Sequence, residues 1–121
     1  MAKFDFEGRV FRAVSNADKS EVSADTVFYY HQNGEIVWAT YQGGEIAFGT
    51  LVARMLEDGR LDMRYGHVNR SGGLMTGECI STPEVLLDGR YRVHEEWQWT
   101  SGDRSKGQSV IEEVAEARGN K

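Results

Sequence analysis

Apolar and polar residues alternate along several segments of the chain. This pattern is typical of β-strands that turn one face to a core and the other to water. It is clearest in residues 60–70 and 90–100. In the first segment one face carries Leu61, Met63, Tyr65 and His67, and in the second it carries Tyr91, Val93, Glu95, Trp97 and Trp99.

Glycine-containing pairs separate the alternating segments. Asn33-Gly34, Asp58-Gly59 and Asp88-Gly89 have the composition of type I′ hairpin turns, in which both central residues have positive φ. The pattern predicts eight strands, near residues 9–15, 22–32, 35–42, 45–57, 60–70, 73–82, 90–100 and 106–115. Residues 50–57 and 110–117 also fit helical spacing, but neighbouring strands that need partners favour strands, with a bulge expected at Gly49.

Eight short antiparallel strands in series would leave two unpaired edges in an open sheet, and closure removes both. We therefore predict an all-β fold, a single antiparallel up-and-down β-barrel of the calycin type. A two-sheet β-sandwich is the alternative. The 121 residues fit one domain, 1–121, with an ordered core at about residues 9–115.

Composition narrows the functional classes. A net charge of −5 argues against a broad cationic surface for nucleic acid. No apolar run approaches the roughly 20 residues of a membrane helix, and the first residues lack the apolar region of a signal peptide. The single cysteine, Cys79, cannot form an intrachain disulfide, which suits a reducing compartment. We expect a cytoplasmic protein with neither nucleic-acid nor membrane partners.

The aromatic and ionisable residues of the predicted interior are the candidate site. Glu95 would lie among aromatic side chains, where a carboxyl group is either protonated or bonded to a donor. His67 could orient a ligand. Aromatic walls with a few polar anchors are typical of small-molecule pockets. The predicted ligand-binding residues are Tyr65, His67, Glu95, Trp97, Trp99, Trp38 and Tyr29. The alternative for each is an ordinary place in the core.

No motif specifies a catalytic or metal site. The run His94-Glu95-Glu96-Trp97-Gln98 begins like a zinc-protease motif but has Gln98 where the second histidine is required. No Gly-x-Ser-x-Gly motif is present, and Cys79 is expected to be a packing residue. We predict no metal and no cofactor.

Three stretches carry a family resemblance, namely residues 10–16 (VFRAVSN), 61–65 (LDMRY) and 94–103 (HEEWQWTSGD). Through them the chain, from about Arg9 to Glu113, resembles a family of small uncharacterised bacterial proteins often labelled "N-acetylglutamate synthase" in genomes. The barrel also broadly resembles lipocalins, fatty-acid-binding proteins and avidin. The label would imply an acetyltransferase, whose pyrophosphate-binding turn is matched by residues 70–75 except at Met75.

Three functional hypotheses follow. The first is a barrel that binds a small apolar or aromatic ligand in a cavity of about 300 Å³ or more. The second is an enzyme, either a Glu95–His67 catalyst or the acetyltransferase of the label. The third is a homodimeric interaction module, because residues 27–30 and 37–39 place apolar groups on both faces of their strands.

Overall fold

The computed structural model describes residues 3–16 and 20–114, and it contains eight strands. They are β1 (Val10–Asn16), β2 (Val27–Asn33), β3 (Ile36–Gly43), β4 (Ile46–Met55), β5 (Leu61–Asn69), β6 (Leu74–Val85), β7 (Tyr91–Trp99) and β8 (Lys106–Glu113). In the two segments with helical spacing, residues 50–55 and 110–113 are strand, and no described residue of either segment is helical. Residues 115–117 lie outside the described residues.

The strands form a closed barrel in sequence order. Each strand pairs antiparallel with the next, and β8 returns to β1, where Phe11 faces Glu113 and Ala13 faces Ile111. Closure gives every strand two partners, so no sheet edge is left open. The predicted up-and-down barrel is confirmed, and the β-sandwich alternative is wrong.

The inner face of the barrel is the core. On β5 and β7 the predicted alternation is confirmed, since Leu61, Met63, His67, Val93 and Trp97 are all buried. On β3 and β4 the inward residues include Val37, Ala39, Leu51 and Ala53, which are also buried. Val37, Ala39 and Ala53 are small beside the aromatic side chains that other strands bury in the same interior, and the mixture of small and large groups sets how much space is left.

The Asp-Gly turns differ from the prediction. In the described residues only the glycine of each Asn-Gly and Asp-Gly pair has positive φ, for example Gly59 at 93° and Gly89 at 91°. They are therefore not type I′ turns. Asp58 and Asp88 instead accept a hydrogen bond from the backbone N–H two residues later, at 3.0 and 3.1 Å. A short acceptor side chain can hold a turn in this way without a left-handed backbone of its own.

Two further sequence expectations need correction. The second strand begins at Val27 rather than at 22, and residues 20–26 form a separate segment that crosses one end of the barrel. The bulge between β4 and β5 lies between Ile46 and Phe48, not at Gly49. Glycine is needed at position 49 because a side chain there would overlap the ring of Tyr41.

The two ends of the barrel are closed differently. At one end the N-terminal residues enter the interior, where the ring of Phe6 lies 5.2 Å from that of Tyr30 and 5.4 Å from that of Tyr91, between centroids. Residues 20–26, which we call the mouth segment, cross the other end. It is anchored to β3 by Thr26, whose hydroxyl donates to the carbonyl oxygen of Gly43 at 3.1 Å. Within the described residues, no helix is long and apolar enough to cross a membrane.

Candidate functional site

A cavity lies inside the barrel, below the mouth segment. Its walls are mainly apolar and aromatic, with a few polar groups among them. The lining residues are Ser20, Val22, Phe28, Tyr41, Leu51, Met63, Tyr65, His67, Cys79, Glu95, Trp97, Trp99 and Ser109. Such a lining is typical of a small-molecule site.

The cavity is smaller than predicted. The centre of a water molecule could move within a volume of about 50 Å³ in this cavity. The total empty volume between the walls, which includes the open mouth, is about 490 Å³. The first figure falls short of the roughly 300 Å³ expected for a ligand pocket. Measured in the same way as the 50 Å³ volume, one water molecule needs roughly 10–15 Å³. The cavity therefore has room for a group of a few non-hydrogen atoms.

Among the described residues that line the cavity, Glu95 is the one with a carboxyl group. Its side chain lies on the inner face of β7, between Val93 and Trp97, and is partly exposed to the cavity. Among the described residues its one hydrogen-bond partner is Ser81, whose hydroxyl donates to Oε2 over a long 3.5 Å. Removal from water raises the pKa of Glu95 to about 7, and the bond from Ser81 opposes this only in part.

Two hydroxyl groups flank this carboxyl group, and a third is buried elsewhere in the interior. Ser81 and Ser109 are the direct partners of Glu95 on the strands to either side of it. Ser109 accepts a hydrogen bond from the indole nitrogen of Trp97 at 2.9 Å, so this indole donates to the wall and not to Glu95. The hydroxyl of Tyr30 is buried and, within the described parts of the chain, has no hydrogen-bond partner. Hydroxyl groups thus lie on both sides of Glu95 in a mainly apolar interior.

Two tyrosine rings lie over glycine residues on the neighbouring strand. Tyr41 is paired with Gly49, and Tyr65 with Gly77. A Cβ atom at Gly49 would come 2.5 Å from Cζ of Tyr41, and one at Gly77 would come 2.3 Å from Cζ of Tyr65. Burial is the main cause that raises the pKa of both phenols, so both stay protonated and can donate.

His67 connects the cavity wall to the mouth segment. Its Nδ1 lies 3.0 Å from the hydroxyl of Tyr41, and its Nε2 lies 2.8 Å from Oε1 of Glu21. The amide of Asn69 also donates to Glu21, at 3.1 Å. Both ring nitrogens of His67 are therefore used within the protein. His67 and Glu95 line the same cavity, but the bonds of His67 go to Tyr41 and Glu21, so the contact that a Glu95–His67 catalyst would need is not made.

Five of the seven predicted site residues line the cavity: Tyr65, His67, Glu95, Trp97 and Trp99. The interior positions predicted for Trp38 and Tyr29 are wrong. Trp38 is 40% exposed and Tyr29 is 43% exposed, and both lie on the outer face of the barrel. Their neighbours Val37, Ala39, Phe28 and Tyr30 point inward instead. In a run of consecutive apolar residues, alternation does not show which residues face inward.

Several residues of the site were not predicted. Tyr41 and Glu21 belong to it through His67, and Ser81 and Ser109 through Glu95. The two serines alternate in phase with inward residues of their strands, which was a usable signal. Glu21 had none, because it lies 46 residues from His67 in the sequence and outside any strand.

The remaining chemical candidates are not assembled into sites. Cys79 is buried, and its removal from water raises the pKa of its thiol, as in a packing residue. Among residues 3–16 and 20–114, no three His, Cys, Asp or Glu side chains are grouped as metal ligands would be. Residues 70–73 form the turn between β5 and β6, and the strand beginning at Leu74 follows, where an acetyltransferase would have a helix N-terminus.

A closed eight-stranded antiparallel barrel with a cavity open towards one end defines a small calycin-type β-barrel. Over residues 4–114 the chain matches the family model of avidin-like proteins. The chain therefore belongs to the avidin-like family, and the expected likeness to avidin is confirmed. No curated protein and no solved structure matches the chain.

Proposed function

We propose that the protein binds a small molecule inside its barrel, with an apolar or aromatic body and a polar group that reaches Glu95. The observation that carries this proposal is the position of Glu95. Its carboxyl group lies on the cavity wall with aromatic side chains, and its one hydrogen bond from the described residues is the long one from Ser81. Buried polar groups in proteins are normally satisfied, and a bound ligand would complete this one.

The surroundings of Glu95 indicate how such a ligand would lie. The rings of Trp97 and Trp99 are 5.8 Å apart, and Tyr65 meets Trp99 edge to face at the same distance. These three rings offer apolar surface along the cavity wall. The enclosed space takes a group of only a few atoms. A larger body would therefore extend from Glu95 towards Val22 and the mouth.

Fluorescence of the cavity tryptophans tests the proposal. The chain has three tryptophans, and Trp38 is on the outer face, so Trp38→Phe leaves only the two indoles that line the cavity. Native mass spectrometry of freshly purified protein would first identify any molecule that co-purifies. That molecule, or small aromatic fragments such as phenol and aniline, would then be titrated into the variant, with an expected saturable change in emission.

A pair of variants links the fluorescence change to the cavity. Leu51→Phe adds bulk to the cavity wall, whereas Val52→Phe adds the same bulk to the outer face, where Val52 is 54% exposed. We expect the first to abolish binding and the second to leave it unchanged. Equal binding by both variants would place the ligand elsewhere, and no binding of any fragment would contradict the proposed function.

The outer face of the barrel supports a second function, assembly of two copies of the chain. Exposed apolar side chains lie on β2 to β6, and we call them the outer apolar face: Tyr29, Trp38, Phe48, Val52, Val68 and Leu74. Direct strand pairing joins Trp38 with Val52, and it joins Val68 with both Phe48 and Leu74. Large groups of exposed apolar side chains are uncommon on a monomer.

A second copy is the partner that this face fits, for reasons of charge. The outward positions of β3 and β4 between residues 36 and 52 carry no charged side chain. Two chains of net charge −5 repel each other over most of their surface, and the repulsion is weakest where charge is absent. Contact through the same patch on both copies would bury it symmetrically.

Sedimentation velocity measures this assembly directly. We expect a dimer at micromolar concentration and a monomer for Val52→Glu, which places a charge beside Trp38 on the face. Val85→Glu is the matched control, because Val85 is 56% exposed but lies outside the outer apolar face. A monomeric parent protein, or equal effects of the two substitutions, would contradict the assembly.

A further inference from the structure

We propose that the ligand of the cavity is a small organic cation, an ammonium or amidinium group, with the carboxylate of Glu95 as its counter-ion. This proposal rests on the proposed function and names the class of ligand for the same site. Four features of the cavity support it, namely its charges, its aromatic faces, its hydroxyl groups and its size.

The charges of the cavity are one-sided. Among the described lining residues Glu95 is the acid, and no lysine or arginine lies with it. The arginine of the interior, Arg9, is at the closed end, where its guanidinium lies 2.7 Å from the carboxylate of Glu113. His67 faces the cavity, but its two nitrogens are bonded to Tyr41 and Glu21. A carboxylate without a cationic partner favours a ligand that brings one.

The aromatic faces provide a second attraction for a cation. Trp97, Trp99, Tyr65 and Phe28 all line the cavity. A cation within about 6 Å of an aromatic face is attracted by the ring quadrupole, and more strongly where water is excluded. The protein makes this contact elsewhere, since the guanidinium carbon of Arg9 lies 3.7 Å from the ring centre of Tyr91.

The hydroxyl groups near Glu95 match the donors of an ammonium group. An ammonium group has three N–H donors and no acceptor. Glu95 can accept one of them, and the oxygens of Ser81 and Ser109 lie on the strands to either side. The hydroxyl of Tyr30 is also buried in the barrel interior, and it has no hydrogen-bond partner among the described residues.

The size of the enclosed space selects a small head group. The centre of a water molecule could move within about 50 Å³ of the cavity, and this volume holds a group of a few non-hydrogen atoms. An aminomethyl, amidino or trimethylammonium group is of this size. A larger body attached to that group would lie against the tryptophans of the cavity wall.

Cation binding at this site has a defined dependence on pH. The titratable groups that line the cavity with Glu95 are Tyr41, Tyr65, His67 and Cys79, and Tyr30 is buried elsewhere in the interior. The pKa of Glu95 is about 7 in the empty barrel, so below that pH a bound cation must first displace its proton. Affinity for a cation should then fall about tenfold for each pH unit below 7, and binding should release a proton.

Three size-matched pairs of probes test the proposal: methylammonium and methanol, tetramethylammonium and tert-butanol, and benzylammonium and benzyl alcohol. Binding is measured by fluorescence titration of the Trp38→Phe variant at constant ionic strength. At pH 8 we expect at least one cation to bind ten or more times tighter than its neutral counterpart. Calorimetry in phosphate and in MES, which both buffer at pH 6 and differ in ionisation enthalpy, should show proton release.

Variants assign the preference to Glu95. Glu95→Gln should remove both the preference for the cation and the proton release, and Glu96→Gln, on the outer face of the same strand, should keep both. If a neutral probe binds as tightly as its cation, the cation proposal is wrong while the ligand-binding function stands. If none of the six probes binds and the fragments of the previous section do not bind either, both proposals fail.

Discussion

The ring of Tyr65 lies over Gly77, its direct partner on the neighbouring strand, so closely that a Cβ atom there would be 2.3 Å from the phenol oxygen. Tyr41 lies over Gly49 in the same way. In both pairs the missing side chain lets a large ring lie against the barrel wall instead of across the interior. The two glycines thus help to keep the cavity open.

Substitution of Gly77 by alanine should therefore destabilise the protein. The new methyl group would overlap the ring of Tyr65 and force it towards the cavity, and overpacking of this kind costs about 1–3 kcal/mol. Urea unfolding of the parent and of Gly77→Ala measures the loss. In a Tyr65→Ala background the same substitution should be neutral, or stabilising by about 0.5–1 kcal/mol, because alanine restricts the unfolded chain more than glycine does. A loss of equal size in both backgrounds would show that the ring is not the cause.

Glu95 should make the stability of the protein depend on pH. Its pKa is about 7 in the folded protein, against 4.5 for an ordinary glutamate. The folded state therefore holds a proton that the unfolded state has already lost. The stabilising contribution of Glu95 is fully present below pH 4.5 and is lost as the pH rises through 7, by on the order of 3 kcal/mol in total.

Urea unfolding of the parent and of Glu95→Gln at several pH values between 4 and 8 measures this contribution. Glutamine does not ionise, so the variant should gain stability relative to the parent as the pH rises. Glu96→Gln, on the outer face of the same strand, should show no such gain. A constant difference between parent and Glu95→Gln across the range would mean that the folded protein does not raise the pKa of Glu95.

The exposure of the three tryptophans predicts their fluorescence. Trp38 is 40% exposed, whereas Trp97 and Trp99 are 7% and 5% exposed. Trp38→Phe should therefore shift the emission maximum to shorter wavelength and remove most quenching by acrylamide. Trp99→Phe should have the opposite effect on the maximum. If Trp38→Phe left quenching unchanged, the outward position of Trp38 would be wrong.

The fold was predictable because its signals are local. Alternation in residues 60–70 and 90–100 shows which residues face inward without knowledge of the partner strands, and the glycine pairs mark the turns. The error at Trp38 has an equally local origin. In Val37-Trp38-Ala39 all three side chains are apolar, and the two smaller ones point inward, so residue size was a misleading guide.

The candidate site was only partly predictable because its contacts are long-range. Glu95 and Trp97 could be placed together, since they lie on one face of one strand. The bond between His67 and Glu21 could not be predicted, because it depends on how the mouth segment crosses the end of the barrel. The size of the cavity also depends on where two tyrosine rings lie, which one strand alone does not determine.

The bond between Glu21 and His67 predicts that the mouth segment is held in place from the barrel wall. Glu21 accepts a hydrogen bond from Asn69 at 3.1 Å and pairs with His67 at 2.8 Å. The backbone amide of Ser23, by contrast, donates to Thr26 within the same segment. Hydrogen bonds to charged groups contribute about 1.5–3 kcal/mol. Glu21→Ala should therefore speed amide hydrogen exchange at Val22, Ser23 and Thr26 by about tenfold or more, while β5 keeps its protection.

Glu45→Ala is the matched control, because Glu45 is exposed at the same end of the barrel and its side chain has no described partner. If both variants exchanged like the parent, the segment would be held by its own turn and by Thr26, and His67 would have no part in closing the cavity.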